Sequence, residues 1–518
     1  MVTTNMNKKY MLEQELLIAN EPKYYKQNIL IIGGGPSGLA TALILAKRGW
    51  TNITILEQRA TADYYEPDKS FNYLIDGRGQ KLTDYLGITS ILATLGVSSQ
   101  EFYLTKIAPN GDKKSSKLPI IDPQRKTAYW ITRKAFVGML YQQIEQHWNE
   151  YIKVLFNAKC VKINKLAINN EVEKLEVLAQ VGNDNFVKFE PSLLVGCDGL
   201  RSVVRNTLAE WETSGLHKFQ MQQLPSASSG LRYKVLSLPP KPSLDHRGEE
   251  QAVSEMAYIV LGALRNRQRY LRLGLLPVKD PEEPRTANVI ALPDHEVWTL
   301  QDGEAIYRFF EKSFPQLPIR KILSPEEADR FAKSEGGYFP KPQYCDGLQF
   351  LLKHKPETQD ASAVGVVLLG DTIHCFPPDI GQGVNAALED VCVLNEALAQ
   401  SHDNLSQALP LYESLRLADV KAVTKLAQIA FPWQYGQNPF RTKLWSINFF
   451  LRLVLSRLLP FLFYPPAFFL IQNYQLSYQE ILVKVERTSQ TLYVLGLVIG
   501  CGLLVVGGRW LFVASHNI

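Results

Sequence analysis

The chain has 518 residues, 46% apolar and 21% charged, a composition that excludes a disordered protein and sets an expectation of two or three compact units. Its six cysteines (Cys160, Cys197, Cys345, Cys375, Cys392, Cys501) include no Cys-x-x-Cys pair, which excludes a zinc ribbon and a disulfide framework and fits a reducing compartment. The net charge of +5 is concentrated: from Arg441 onward seven Lys/Arg stand against two Glu, so the tail carries all of the excess. A nucleic-acid binder would show a basic body, so no nucleic-acid partner is expected; a tail both basic and apolar points to an anionic membrane surface.

The first 26 residues are polar and lack the apolar run of a secretory signal, which predicts that the body of the protein stays in the cytoplasm. "NILIIGGG" (28–35) reads as a short buried strand ending in glycines, "LATALILAKRG" (39–49) as a helix, and "ITILEQ" (53–58) as a second strand. This unit opens a parallel α/β domain of Rossmann-like type. A helix over 134–149 and the strand "SLLVGCDG" (192–199) continue it. Residues 212–362 alternate strand-like runs such as "MAYIVLGAL" with turns, around one predicted helix, "EAIYRFFEKSF". The buried-strand pattern returns at "GVVLLGD" (365–371), followed by a helix over 383–400. The reading is therefore an interrupted dinucleotide-type domain (27–86, 131–211 and 363–425), a sheet-rich domain (87–130 and 212–362), and a C-terminal helical region (426–518). In that last region "LWSINFFLRLVLSRLLPFLFYPPAFFLIQ" (444–472) suits helices lying on a membrane. Residues 491–508 run uncharged for 18 residues, long enough for a transmembrane helix. Lys484 and Arg487 before this span against Arg509 after it predict a single-pass C-terminal anchor with the catalytic body on the cytoplasmic side.

Three motifs carry chemistry. Gly33-Gly34-Gly35-Pro36-Ser37-Gly38 is a G-x-G-x-x-G between strand and helix, where bare backbone can approach a pyrophosphate at a helix N-terminus. Glu57 ends the next strand, 19 residues beyond Gly38, where an acid can bind a ribose hydroxyl. Whether the dinucleotide is FAD or NAD is open at this point. Asp198-Gly199-x-x-Ser202-x-x-Arg205 follows a second apolar strand. "GDTIHCFPPDIGQG" (370–383) ends a third, placing His374 beside Cys375 before a glycine-rich turn. Four metal ligands cannot be assembled there from nearby spacing, and neighbours in an extended segment point apart, so neither a metal site nor a Cys–His nucleophile is expected.

These three motifs, in this order, resemble the class A flavoprotein monooxygenases related to p-hydroxybenzoate hydroxylase. Its kynurenine 3-monooxygenase branch is similar also at "FNYLIDGRGQKLTDYLGI" (71–88), "ITRKAF" (131–136) and "GQGVNAALED" (381–390). The resemblance implies that the interrupted domain binds FAD and the sheet-rich domain the substrate. Gly33, Gly35, Ser37, Gly38 and Glu57 would hold the adenosine end. Asp198, Gly199 and Arg205 would serve the region between FAD and NAD(P)H. Gly370 and Asp371 would bind the ribityl chain, with Pro378, Gly381, Gln382, Gly383, Val384 and Asn385 at the flavin ring and Arg133 against it. Asn385 and Glu389 would face the substrate, and Asp379 and Glu389 are the candidate proton-handling acids, although no base is assigned. The implied reaction is NAD(P)H- and O2-dependent hydroxylation of an aromatic or other electron-rich small molecule through a flavin C4a-hydroperoxide. A flavin reductase or dehydrogenase acting on a lipophilic substrate, and a non-catalytic flavin-binding membrane protein, are the alternatives. The chain departs from that branch where an arginine and a tyrosine grip the substrate carboxylate. Leu104 and Ile120 stand there, with Lys106 the nearest cation, and Asp379-Ile380 replaces an aromatic pair. Kynurenine itself is therefore not the expected substrate.

Overall fold

The computed structural model describes residues 26–62, 64, 66, 72–99, 103–117, 125–169, 172–352 and 363–516. Ile120 and Phe71 lie outside them. The first layer grows from β1 (Ile29–Ile32), buried at every position, as a strand covered on both faces must be. Pro36 then opens α1 (Pro36–Lys47), its fixed φ suited to a first turn whose N–H groups are unpaired in any case. The layer continues through β2 (Ile53–Leu56), β3 (Asn72–Ile75), β4 (Tyr129–Thr132), α2 (Arg133–Gln143), β5 (Ile152–Leu155), β6 (Leu193–Gly196) and α3 (Val203–Trp211). It closes with β7 (Gly365–Leu368), α4 (Gly383–Gln400) and α5 (Leu405–Ile429).

The main sheet has the order Gln349–Leu351, β7, β6, β1, β2, β5, parallel except for the 349–351 edge. Strands β6 and β7 pair from Leu193 with Gly365 to Gly196 with Leu368, although five of the seven strands of the second sheet intervene in sequence. The chain thus leaves this sheet and returns beside its point of departure.

The second sheet has seven strands, ordered 337–338, 232–238, 285–291, 272–275, 257–261, 103–107 and 113–117. It is mixed, because 257–261 and 103–107 run parallel. The helix Gly303–Ser313 covers it, burying Ile306, Phe309 and Phe310 against Phe314 and Phe331. Strand β4 does not join it but pairs with β3 and with Val97–Ser98.

The C-terminal region contributes α6 (Pro439–Leu458) and α7 (Tyr478–His516). The start of α7 is docked: Tyr478, Ile481 and Val485 share a core with Val423, Leu426 and Ala427 of α5 and with Phe376, Ile380 and Ala386. By contrast α6 buries no residue. Among the described residues no helix is long and apolar enough to cross a membrane, so the expected span over 491–508 is not supported. Those residues continue α7, whose earlier turns carry Lys484, Glu486 and Arg487; the side chains of 503 and 505–508 lie outside the described residues.

The helices of the first layer and the tail meet around one buried cation. Arg416 of α5 donates from Nε to Asp390 (2.7 Å), from Nη1 to Glu389 (2.8 Å) and from Nη2 to the Ala386 carbonyl (3.0 Å). Asp390 in turn accepts from the Gly370 N–H (2.7 Å) and from His374 Nε2 (2.9 Å). Burial alone would raise the Glu389 carboxyl, but Arg416, Arg78 and Lys81 together hold it down to about 2. A depressed carboxylate stabilises the fold above its ordinary range and loses that contribution as pH falls through its folded value. Arg416→Met should therefore cost about 3–5 kcal/mol in urea unfolding at neutral pH, by removing the one cation that two buried carboxylates share. The parent protein should also lose stability between roughly pH 4.3, the ordinary glutamate value, and about 2, with this acid limb flattened in the variant.

Candidate functional site

The glycine turn after β1 is shaped by close approaches. Gly33 has φ +106°, and a Cβ there would lie 2.3 Å from the Cys197 carbonyl oxygen at the end of β6. At Gly38 a Cβ would lie 1.9 Å from the Gly33 oxygen, which closes α1 onto the turn. Gly35 differs: nothing lies within 4 Å of the position its Cβ would take. The first turn of α1 has no side-chain cap, so its N–H groups face that open space. Glu57, buried at the end of β2, accepts from the Gly34 N–H and the Arg59 N–H, both at 2.8 Å, and so braces the turn.

The second and third motifs meet the first. Gly370 has φ +68°, and a Cβ there would sit 2.5 Å from Ser37 Oγ. Asp198 accepts from Ser202 Oγ (2.6 Å) and from the Val203 N–H (2.6 Å), while Ser202 caps α3 by accepting from the Arg205 N–H (2.9 Å). Arg205 donates to the carbonyls of Thr372 and Leu200, both at 2.8 Å. Within the protein Asp198 shapes a helix start and Arg205 pins the Gly370–Thr372 turn, so both residues expected on the cofactor also brace the backbone around it. Gly199, φ +78°, provides the left-handed turn that Asp198 needs, with nothing within 4 Å of a Cβ there.

Asp371 is exposed. Arg133, at the start of α2, and Asp371 both act on the phenol of Tyr73, which burial pushes up. The sequence reading missed Tyr73; its signal was a single aromatic on a strand beginning beside the Arg-Gly segment. His374 is wholly buried against Asp390 and stacked on Phe376, with ring centroids 6.0 Å apart. Burial pushes the neighbouring Cys375 thiol well above its ordinary range, as it does for Cys197; Cys160, Cys345 and Cys392 are pushed up to about 12. His374 is thus engaged by Asp390, and burial disfavours the Cys375 thiolate.

Past the exposed Pro378 the chain turns at Gly381, φ +62°, and enters α4 through Gln382, Gly383 and the half-buried Val384. A Cβ at Gly381 or Gly383 would meet nothing within 4 Å. Gln382 donates to Asp76 (2.8 Å) and accepts from the Tyr478 hydroxyl (2.7 Å). Asn385 does not present a free amide to a substrate. It donates to the Leu74 and Gly381 carbonyls (2.8 and 3.0 Å) and accepts from the Asp76 N–H (3.1 Å). Glu389 is likewise occupied, ion-paired to Arg78 (3.0 Å), Lys81 (3.2 Å) and Arg416 (2.8 Å), and held too acidic to take a proton near neutrality.

Asp379 remains. It is buried where the loop meets the second layer, and it accepts from Ser228 Oγ, just ahead of the strand Arg232–Leu238. Burial raises its carboxyl to about 6, held in check by hydrogen bonding from Ser228, Tyr435 and Gln434.

The site thus offers bare backbone at two helix N-termini, Gly35 at α1 and Gly381–Gly383 at α4, with Asp371, Arg133 and Tyr73 to meet hydroxyl or ring groups. Those donors fit a flavin dinucleotide: the uncapped α1 suits its phosphates, and α4 suits the anionic edge of a reduced ring. The family model described as "FAD binding domain" matches residues 26–232 and 353–427. A kynurenine 3-monooxygenase of Drosophila willistoni is 26% identical over 431 residues, covering 82% of each chain. The violacein synthase of Chromobacterium violaceum is 24% identical over 432 residues, 79% of this chain and 86% of that one. In fold, the solved 2-methyl-3-hydroxypyridine-5-carboxylic acid oxygenase aligns with TM-score 0.54 at 17% identity, covering 78% of this chain and 90% of that one. Because nothing in the protein opposes a side chain at Gly35, Gly35→Val should leave urea stability within about 1 kcal/mol of the parent. It should nevertheless weaken FAD binding about tenfold or more, read as flavin retained on gel filtration. The glycine turn, the interrupted sheet and the matched family model together establish that the chain belongs to the FAD-binding class A flavin monooxygenase family.

Proposed function

We propose that this monooxygenase uses NAD(P)H and O2 to hydroxylate an aromatic or other electron-rich small molecule, and that its C-terminal region holds it on a lipid membrane. The observation that carries the first part is Asp379, a buried acid titrating near neutrality beside the loop that faces the flavin. Bound FAD supplies the oxygen-transfer chemistry. The chain positions the substrate, excludes water and takes up the proton that leaves the substrate on hydroxylation. Asp379 is suited to that last task, with Ser228 and Tyr435 orienting its carboxylate, whereas Glu389 is locked in ion pairs.

The strand 103–107 buries Thr105 and Ile107, so Leu104 and exposed Lys106 share its other face. With apolar Leu104 and Ile120 where the family's carboxylate grip stands, a substrate less polar than an amino acid is favoured, and Lys106 is the cation that would serve a carboxylate. The test uses detergent-purified protein with NADPH and O2, with and without kynurenine or apolar aromatic amines and phenols, following NADPH loss and product mass. A product heavier by one oxygen supports the reading; peroxide alone would move the assignment to a reductase, and an unreduced flavin would end it. For the accepted substrate, kcat/KM should rise with pH through about 6, and Asp379→Asn should lower it and abolish that limb.

For the membrane, the support is a stripe on α6. Phe440, Leu444, Ile447, Leu451, Val454 and Leu458 recur at alternating steps of four and three and are all exposed. Arg441, Lys443 and Arg457 accompany the stripe on the same helix, the composition of an interfacial helix. Ile447→Glu with Leu451→Glu should lower co-sedimentation with vesicles containing anionic lipid by about tenfold or more. Unchanged sedimentation would remove α6 from the proposal.

A further inference from the structure

The tail packs against the loop that leads into α4, with Tyr478 and Ile481 in one core with Phe376, Ile380 and Ala386. Arg78, with no exposure, donates to the carbonyls of Leu476 (2.8 Å) and Asn473 (3.4 Å) and to Glu389 (3.0 Å). Its guanidinium lies 4.0 Å from the centroid of the Tyr478 ring. At Gly77 a Cβ would come within 2.6 Å of the Tyr474 ring, so that glycine lets the tail pass. Tyr478 is also wholly buried, and its hydroxyl reaches Gln382 Oε1 at 2.7 Å. The amide orientation of Gln382 is set from both ends, because its Nε2 must donate to Asp76 (2.8 Å). Gln382 is the middle residue of the Gly-Gln-Gly turn and the N-cap of α4.

We propose that Tyr478 is a positioning residue for the cofactor: its hydroxyl fixes Gln382, and with it the bare backbone of Gly381–Gly383, so that seating of the C-terminal tail sets the geometry of the flavin loop. This rests on the FAD-site reading above. Burial, the largest effect, keeps the phenol well above its ordinary range, so the hydroxyl stays a donor. A Tyr478 serving only the hydrophobic core would do so with its ring, which stacks on Arg78 and packs beside Ile481 and Ala386. The hydroxyl can therefore be tested apart from the ring.

The discriminating variant is Tyr478→Phe in the full chain, with Gln382→Leu and the double variant beside it. In protein stripped of FAD, amide hydrogen exchange across 379–386 should speed up in Tyr478→Phe while the α5 segment 420–427 stays protected. FAD titration should show about a tenfold weaker Kd, the scale expected when a buried acceptor loses its donor. The loaded flavin should also show a shifted absorption band. Gln382→Leu should reproduce these changes, and the double variant should add nothing further. The proposal is overturned if Tyr478→Phe leaves loop exchange, Kd and the flavin band unchanged, or if exchange rises only over 463–485, as loss of core packing would give. A parent protein that takes up no FAD would instead overturn the cofactor reading, and the exchange measurement on stripped protein separates the two.

Discussion

A guanidinium with no water to solvate it has to be surrounded by acceptors, and that requirement at Arg416 orders much of this molecule. Its partners lie on one face of α4, so α5 cannot rotate or slide against α4 without stranding a charge. Asp390 passes the constraint on: having spent one oxygen on Arg416, it uses the other to hold the Gly370 N–H and the His374 ring. Such networks are poor sources of net stability, since desolvation consumes most of the attraction, but they tolerate few alternative geometries. What is fixed here is the angle at which the N-terminus of α4 and the Gly370 turn present their backbone.

The same network occupies the acids of α4 with ion pairs. Glu389 balances three cations, Arg78 and Lys81 from one segment and Arg416 from α5, and the tail reaches it through Arg78, whose Nη2 donates to tail carbonyls. The C-terminal region is thus one wall of the cofactor loop, packed against Phe376 and Ile380, as well as a source of exposed apolar surface. Asp379 escapes this network. Its partners are neutral hydroxyls and an amide, so burial is left to set its proton affinity.

What the sequence makes legible follows from how local each signal is. The glycines of the first turn, the Gly381 turn and the all-apolar strands form short, contiguous patterns, and their positions could be read directly even where, as at Gly33, the contact that requires them is distant. The ligand class was legible for the same reason. Asp198 and Arg205 were assigned to the cofactor by family resemblance; the bracing role of the arginine shows only in its bond to Thr372, 167 residues away in sequence. Glu389 could not be recognised as an ion pair, since Arg78 lies 311 residues away in sequence. Tyr478 carries no local signal at all: it is one aromatic in an aromatic-rich tail until its hydroxyl is seen on Gln382.

The free cysteines acquire a meaning from the same burial. Five of the six are set in surroundings that push the thiol up; Cys501 alone is exposed. Oxidation begins from the thiolate, so a thiol that cannot ionise is a slow target. Burial thus leaves these five cysteines as small apolar side chains with little thiolate to oxidise, a chemical durability that packing alone would not suggest.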